Sequence, residues 1–213
     1  MIDLILDDCM NVMKNYDDNH FDLAIVDPPY GIKLKGTNPI KNKSDTKNFN
    51  TDWDNAIPDK QYFDELFRVS KKQVIWGGNY FLDFLGYCKA PIIWDKLNGG
   101  SMYADGEMAW TGGDNIPRNL KIFKHQWCGA FKDSERGVIN IHPTQKPVKL
   151  YEWLLHNYAE KGQKILDTHL GSGGIAVACH YFGVDLVGVE IDEEYYNKAK
   201  ERIDNLTKQS TLF

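Results

Sequence analysis

The sequence predicts an α/β protein on a doubly wound, mostly parallel, seven-stranded sheet. Two observations lead there: short apolar runs alternate with amphipathic helical patterns, and a glycine-rich turn joins one such run to a helix. Strands are expected at 2–6, 22–26, 73–76, 91–94, 107–111, 164–167 and 185–190. Helices are expected at 58–69, 147–159, 173–182 and 193–207. In the first, Pro58 suits an opening position and Tyr62, Phe63, Leu66 and Phe67 share a face. In the last, Tyr196, Ala199, Ile203 and Leu206 form one stripe. Two aperiodic stretches, 31–57 and 112–141, read as insertions, the second with a hairpin around Leu120–Phe123.

The 213 residues are 42% hydrophobic and 26% charged, ordinary values for one globular domain spanning 1–213. No apolar run approaches a membrane span, and Met1-Ile2-Asp3-Leu4 lacks the basic start of a signal peptide, so a cytoplasmic protein is expected. Cys9, Cys88, Cys128 and Cys179 form no C-x-x-C pair, which argues against a zinc or disulfide framework; no metal is expected. The net charge of −5 speaks against nucleic acid at first sight. Its distribution does not. Residues 31–51 carry Lys33, Lys35, Lys41, Lys43 and Lys47 against Asp45 alone. Residues 114–149 carry Arg118, Lys121, Lys124, Lys132, Arg136, Lys146 and Lys149 against three acids. Two basic segments flanking one site are placed to meet phosphates, with Lys33, Lys35, Lys41, Lys43, Arg118, Lys121, Lys124 and Arg136 as candidate contacts.

Asp27-Pro28-Pro29-Tyr30 follows the buried-strand run Leu23-Ala24-Ile25-Val26. The prolines fix their own φ, remove two N–H donors and extend the residues before them. The stiff loop presents a carboxylate at Asp27, a carbonyl at Pro28 and an aromatic face at Tyr30, a set that suits a planar ring bearing an exocyclic amine. A plain strand and proline turn would have the same local form.

Asp167-Thr168-His169-Leu170-Gly171-Ser172-Gly173-Gly174 runs from a strand through a glycine turn into a helix. Glu190 ends the next strand, 19 residues beyond Gly171, where an acid can accept from ribose hydroxyls. Gly171-x-Gly173-x-x-Ala176 also satisfies the dinucleotide fingerprint, so the nucleotide stays open between a methyl donor and NAD. His142-Pro143-Thr144-Gln145-Lys146-Pro147 precedes a helix, with Thr144 placed to cap it, Pro147 to start it, and its first N–H groups placed to cradle a small carboxylate.

With these blocks in place, the chain resembles the amino-methyltransferases of the DNA N6-adenine/N4-cytosine family. The likeness is to a small phage- or prophage-like form of the permuted class, whose catalytic block precedes the cofactor block. Trp76-Gly77-Gly78-Asn79-Tyr80-Phe81 and Ile93-Trp94-Asp95-Lys96 also match strand ends of that family. The resemblance implies a Rossmann-like S-adenosylmethionine-dependent methyltransferase fold, S-adenosyl-L-methionine as donor and a flipped DNA base as acceptor. It implies catalytic roles for Asp27, Pro28, Pro29 and Tyr30. It implies cofactor contacts from Asp8, Cys9, His142, Thr144, Lys146, Asp167, His169, Gly171, Ser172, Gly173, Glu190 and Ile191. Thr168-His169 stands where the family commonly has Pro-Phe, and Gly174 where a threonine is common. His169 is open between a ligand contact and a solvated loop residue.

Cytosine-N4 enzymes more often carry serine at the position of Asp27, so adenine leads and cytosine-N4 is the alternative. An RNA base methyltransferase, a protein-glutamine methyltransferase, an NAD oxidoreductase and an inactive DNA-binding relic complete the field; protein-glutamine enzymes usually have asparagine at the position of Asp27 and the cofactor block first, and the oxidoreductase leaves the Asp27 block unexplained. The small insertions imply a short recognition site, loose specificity or a homodimer. The tail 208–213 contains Gln209, Leu212 and Phe213, which resemble the peptide by which bacterial DNA enzymes dock on the replication sliding clamp; apolar residues tucked against the sheet are the other reading.

Overall fold

A computed structural model of the protein describes residues 1–33, 51–99, 104–128 and 131–208. In chain order the elements are β1 (Ile2–Leu6), α1 (Cys9–Met13), β2 (Leu23–Val26), α2 (Lys60–Val69), β3 (Lys72–Trp76), α3 (Leu82–Leu85), β4 (Ile92–Asp95) and β5 (Gly106–Gly113). There follow β6 (Lys121–Lys124), β7 (Trp127–Cys128), β8 (Phe131–Lys132), α4 (Val148–Tyr158), β9 (Lys164–Asp167), α5 (Gly174–Phe182), β10 (Asp185–Glu190) and α6 (Glu193–Lys208).

Successive side chains of a strand point to opposite faces, and in β2 all four are buried: Leu23 and Ile25 on one side, Ala24 and Val26 on the other. Helices must therefore cover both faces. Leu150, Leu154, Ile175 and Ile203 of α4, α5 and α6 pack on the Leu23 side; Met13, Phe63, Leu66 and Leu85 of α1, α2 and α3 pack on the other.

The sheet has the order β1-β10-β9-β2-β3-β5-β4-β6 and is parallel except for β5. It has eight strands rather than the predicted seven. The additional one is β6: the segment around Leu120–Phe123 forms no hairpin but runs parallel to β4, from Ile92↔Lys121 to Asp95↔Lys124. Phe123 packs towards the core while Ile122 is exposed, as expected of an edge strand. Its terminal lysines protect that edge from further pairing. A separate ribbon joins β7 and β8.

Two helix starts depart from the sequence reading. α2 begins at Lys60 because the Asp59 side chain accepts from the Tyr62 N–H at 3.1 Å, which leaves Pro58 outside the helix. Thr144 does not cap α4; its hydroxyl lies 3.1 Å from His142 Nδ1, and Pro147 holds the cap position with extended backbone. The Val148 N–H instead donates to Glu135 Oε1 at 2.8 Å, so this first helical N–H is not available to a ligand. In α6 the buried stripe is Tyr195, Ala199 and Ile203, not Tyr196 and Leu206.

From β9 the chain crosses to β10, and from β2 it crosses to β3, in the opposite direction along the sheet. That reversal opens a crevice at the strand carboxyl ends, the place where open α/β sheets bind ligands. Asp27 follows β2 there and Thr168 follows β9. Among the described residues no helix is long and apolar enough to cross a membrane, and no three His, Cys, Asp or Glu side chains group as metal ligands. Lys35, Lys41, Lys43, Gln209, Leu212 and Phe213 lie outside the described residues.

Candidate active site

A cavity of about 580 Å³ fills the crevice, a volume suited to a nucleoside-sized ligand. Of the cofactor positions suggested by sequence, Asp8, Cys9, His142, Thr144, Lys146, His169, Gly171, Ser172, Glu190 and Ile191 line it. Asp167 and Gly173 do not. Asp167 is 3% exposed, with Oδ1 accepting from the His169 N–H at 3.0 Å; burial raises its carboxyl to about 8, so it holds the loop as a neutral acid. Gly173 has φ +70°, and a Cβ there would lie 2.9 Å from Ile203. Its left-handed backbone, at the turn into α5, is what favours glycine there.

Glu190 closes the far wall. Its Oε2 accepts from Gly171 N at 2.8 Å and Oε1 from Asp192 N at 3.0 Å, which orients the carboxylate at the cavity edge. His169 is not a solvated loop residue: it lines the cavity, with Nδ1 2.9 Å from Thr168 Oγ1 and its ring edge-on to Tyr62 at 5.5 Å. Burial lowers it to about 4 and His142 to about 3, so both rings are neutral near pH 7. Burial likewise pushes the Cys9 thiol up to about 12.

Gln145 was missed by sequence reasoning. It is 4% exposed and lines the cavity; Oε1 accepts from Ile141 N at 3.0 Å, while buried Nε2 has no partner among the described residues. A buried donor left unpaired costs about 1–3 kcal/mol, which a ligand acceptor would recover. The cavity therefore offers an acid for ribose hydroxyls, neutral rings and an unsatisfied amide donor for a carboxylate. That donor set fits an amino-acid-bearing nucleoside.

Lys146 lines the cavity and also reaches Asp27. It is 3% exposed and pairs with Asp27 Oδ2, and its Nζ lies 3.2 Å from Glu107 Oε2. Glu107 also pairs with Lys96, so four alternating charges run inward from Asp27. Burial alone would raise Glu107, but Lys146 and then Lys96 outweigh it and hold the carboxyl at about 2. Burial would lower Lys146; Asp27 and Glu107 outweigh it and hold it above 10.5. Glu107, too, was missed. Its signal was an acid within the apolar β5 run, next to Lys96 only once Trp94 pairs with Glu107 across β4 and β5.

Pro29 lines the cavity and Pro28 is buried behind it. Tyr30 donates to Asp27 Oδ1 at 2.6 Å and stacks on Tyr80 at 4.9 Å and 15°. Gly77, at φ +67°, makes room: a Cβ there would sit 2.1 Å from the Tyr30 ring.

Of the described basic candidates, Lys124 ends β6 at the edge of the sheet that carries the cavity. Lys121 begins that strand and, with Arg118 before it, lies towards the opposite edge. Lys33 lies three residues beyond Tyr30. Arg136 donates to the Lys132 carbonyl in the 131–140 segment, which Glu135 fastens to Arg202 at 2.7 Å.

A DNA methylase family model (N6/N4 methyltransferases) matches residues 117–201, from just before β6 into α6. The chain is 27% identical to the type II methyltransferase M.HpaI of Haemophilus parainfluenzae, over 95% of this chain and 74% of that protein. The M1.HpyAVI–SAM complex superposes with a TM-score of 0.64 at 23% identity, covering 96% of this chain and all of that one. The PvuII cytosine-N4-specific DNA methyltransferase superposes at 0.60 with 12% identity, covering 98% and 92%. With the Asp27-Pro28-Pro29-Tyr30 loop and the Glu190–Gly171 cavity meeting at one crevice, the chain is similar to the N6/N4 DNA methylases over residues 117–201 and, across most of its length, to type II DNA methyltransferases.

Proposed function

We propose that this protein transfers a methyl group from S-adenosylmethionine to the exocyclic N6 of an adenine turned out of DNA. The observation that carries the reading is the meeting, at one crevice, of Asp27-Pro28-Pro29-Tyr30 with the Glu190–Gly171 cavity. When bound, S-adenosylmethionine supplies an electrophilic sulfonium methyl. Glu190 would accept from its ribose hydroxyls, Asp8 and Ile191 would flank its base, and Gln145 Nε2 would donate to its carboxylate.

The target amine is a weak nucleophile because its lone pair is delocalised into the ring. Asp27 and the Pro28 carbonyl would accept its two N–H groups and favour the tetrahedral nitrogen. A carboxylate has about four acceptor sites, and Asp27 uses two, on Tyr30 and Lys146. The amine can therefore bind without displacing either. Lys146 compensates the Asp27 charge in these dry surroundings, so catalysis rests on positioning and preorganised electrostatics. The proton leaves after transfer, when the nitrogen is cationic and acidic. The stacked Tyr30–Tyr80 pair supplies the aromatic surface for the base, an interaction of about 1–3 kcal/mol that offsets the cost of unstacking.

Aspartate rather than serine at position 27 favours adenine over cytosine-N4. The catalytic block preceding the cofactor block supports the permuted class. Asp27→Ala should abolish transfer of labelled methyl to DNA while calorimetry still detects S-adenosylhomocysteine. Turnover by Asp27→Ala at the wild-type rate would remove the reading.

A further inference from the structure

Asp54 has a structural placement that the reaction chemistry above does not use. Its carboxylate is 1% exposed, and the single oxygen Oδ1 accepts from both the Tyr30 and Gly31 N–H groups at 3.0 Å. Its carbonyl accepts from the Lys33 N–H at 3.2 Å, so one residue holds three amides of the catalytic loop and the chain just after it. The fit is close on the other side as well: at Gly31, φ +68°, a Cβ would lie 3.1 Å from the Ile57 nitrogen. Pro28 and Pro29 cannot donate, so after them these N–H groups are the first that can anchor the loop.

The segment that supplies Asp54 is also a wall of the nucleoside cavity. Trp53, Ala56, Ile57, Pro58 and Asp59 line it. Trp53 stacks on His142 at 5.4 Å and 23°, and His142 meets Tyr195 edge-on at 4.5 Å. Asp59 then caps α2, whose Tyr62 hydroxyl lies 2.7 Å from Thr168 Oγ1 in the glycine loop.

We propose that Asp54 is a positioning residue: by accepting from Tyr30 and Gly31 it sets the catalytic loop and binds it to the Trp53 wall, making donor cavity and base-capturing loop one mechanical unit. The proposal deepens the methyltransferase reading and rests on it for its kinetic consequence. Asp54 touches neither donor nor base. Its loss should therefore appear in kcat with little change in donor affinity.

The test compares Asp54→Leu, Asp54→Asn and Asp54→Glu with wild type in the full chain. Leucine removes the acceptor, asparagine keeps one at the same reach, and glutamate keeps the charge but moves the acceptor by one methylene. Removing hydrogen bonds to a charged acceptor should lower kcat for Asp54→Leu by roughly 30-fold or more, with the S-adenosylhomocysteine Kd within about 3-fold. Asp54→Asn should recover most of kcat, and Asp54→Glu should fall between. Amide hydrogen exchange gives a readout independent of turnover: Tyr30 and Gly31 should lose protection in the leucine variant and keep it in the asparagine variant. If the leucine variant does not fold, the glutamate variant decides, by reduced kcat and faster exchange at these amides. Wild-type exchange at Tyr30 and Gly31, or wild-type kcat, in a folded leucine or glutamate variant would overturn the proposal. Absence of any methyl transfer by wild type would refute the methyltransferase reading instead, and exchange would still report the tie.

Discussion

Replacing Lys146 with methionine removes the buried cation between two part-buried carboxylates and keeps a side chain of similar length. Lys146 is 3% exposed, Asp27 17% and Glu107 22%. Removing one partner from a buried pair typically costs on the order of 3–5 kcal/mol, because the other charge is left uncompensated. Lys96 still serves Glu107, whereas among the described residues Asp27 keeps the Tyr30 hydroxyl as its side-chain partner. For a chain of this size that loss lowers Tm by roughly 6–20 °C. The pH dependence has a definite sign. Glu107 is held below its ordinary value, so its contribution is present above about pH 4.5 and disappears as pH falls towards 2. Lys146 is held above 10.5, so its contribution is present below that pH and disappears as pH rises through the folded value. Urea unfolding of wild type and Lys146→Met should therefore show the widest gap between about pH 5 and 10 and a narrower one at pH 3. Adding Glu107→Gln to Lys146→Met should recover part of the loss, with a coupling of about 0.5–3 kcal/mol. A gap below about 1 kcal/mol at pH 7, or one unchanged at pH 3, would refute the reasoning.

Two further outcomes are expected from backbone geometry and burial. Gly77→Ala and Gly86→Ala place alanine at nearly the same φ, +67° and +66°, but only the former meets the Tyr30 ring; no described residue lies within 4 Å of the latter's added Cβ. Gly86→Ala should cost about 1–2 kcal/mol of strain and Gly77→Ala about 1–3 kcal/mol more, with loss of methyl transfer; equal costs would dismiss the packing role. Asp167, raised to about 8, contributes stability below its unfolded value near 3.8 that is lost as pH rises through 8. Asp167→Asn should thus gain on wild type in denaturant titrations between pH 5 and 8.5, and a constant difference across that range would contradict the neutral-acid assignment.

Much of the fold was legible because parallel strands buried on both faces leave continuous apolar runs such as Leu23–Val26. The meeting of Asp27 with the Gly171–Glu190 turn was legible for a related reason: strand carboxyl ends collect at one edge of the sheet. Contacts made across the sheet left less trace. Glu107 meets Lys146 only through the antiparallel register of β5, which no local pattern encodes. Asp167 matched a family position, yet its burial turns the side chain into a loop brace. Asp59 and Glu135 defeated the proline signals at two helix starts, since the residue after Pro58 caps α2 itself and an acceptor from elsewhere in the chain takes the first N–H of α4. Gln145 sat within a quoted motif, but its role depends on which side-chain atom is left without a partner.

The most direct measurement is to incubate the protein with methyl-labelled S-adenosylmethionine and mixed-sequence DNA, digest the product and identify the labelled nucleoside by mass. N6-methyldeoxyadenosine is the expected species, absent when Asp27→Ala replaces wild type. Label appearing in N4-methyldeoxycytidine would contradict the adenine assignment, and no label in DNA would contradict the reaction itself.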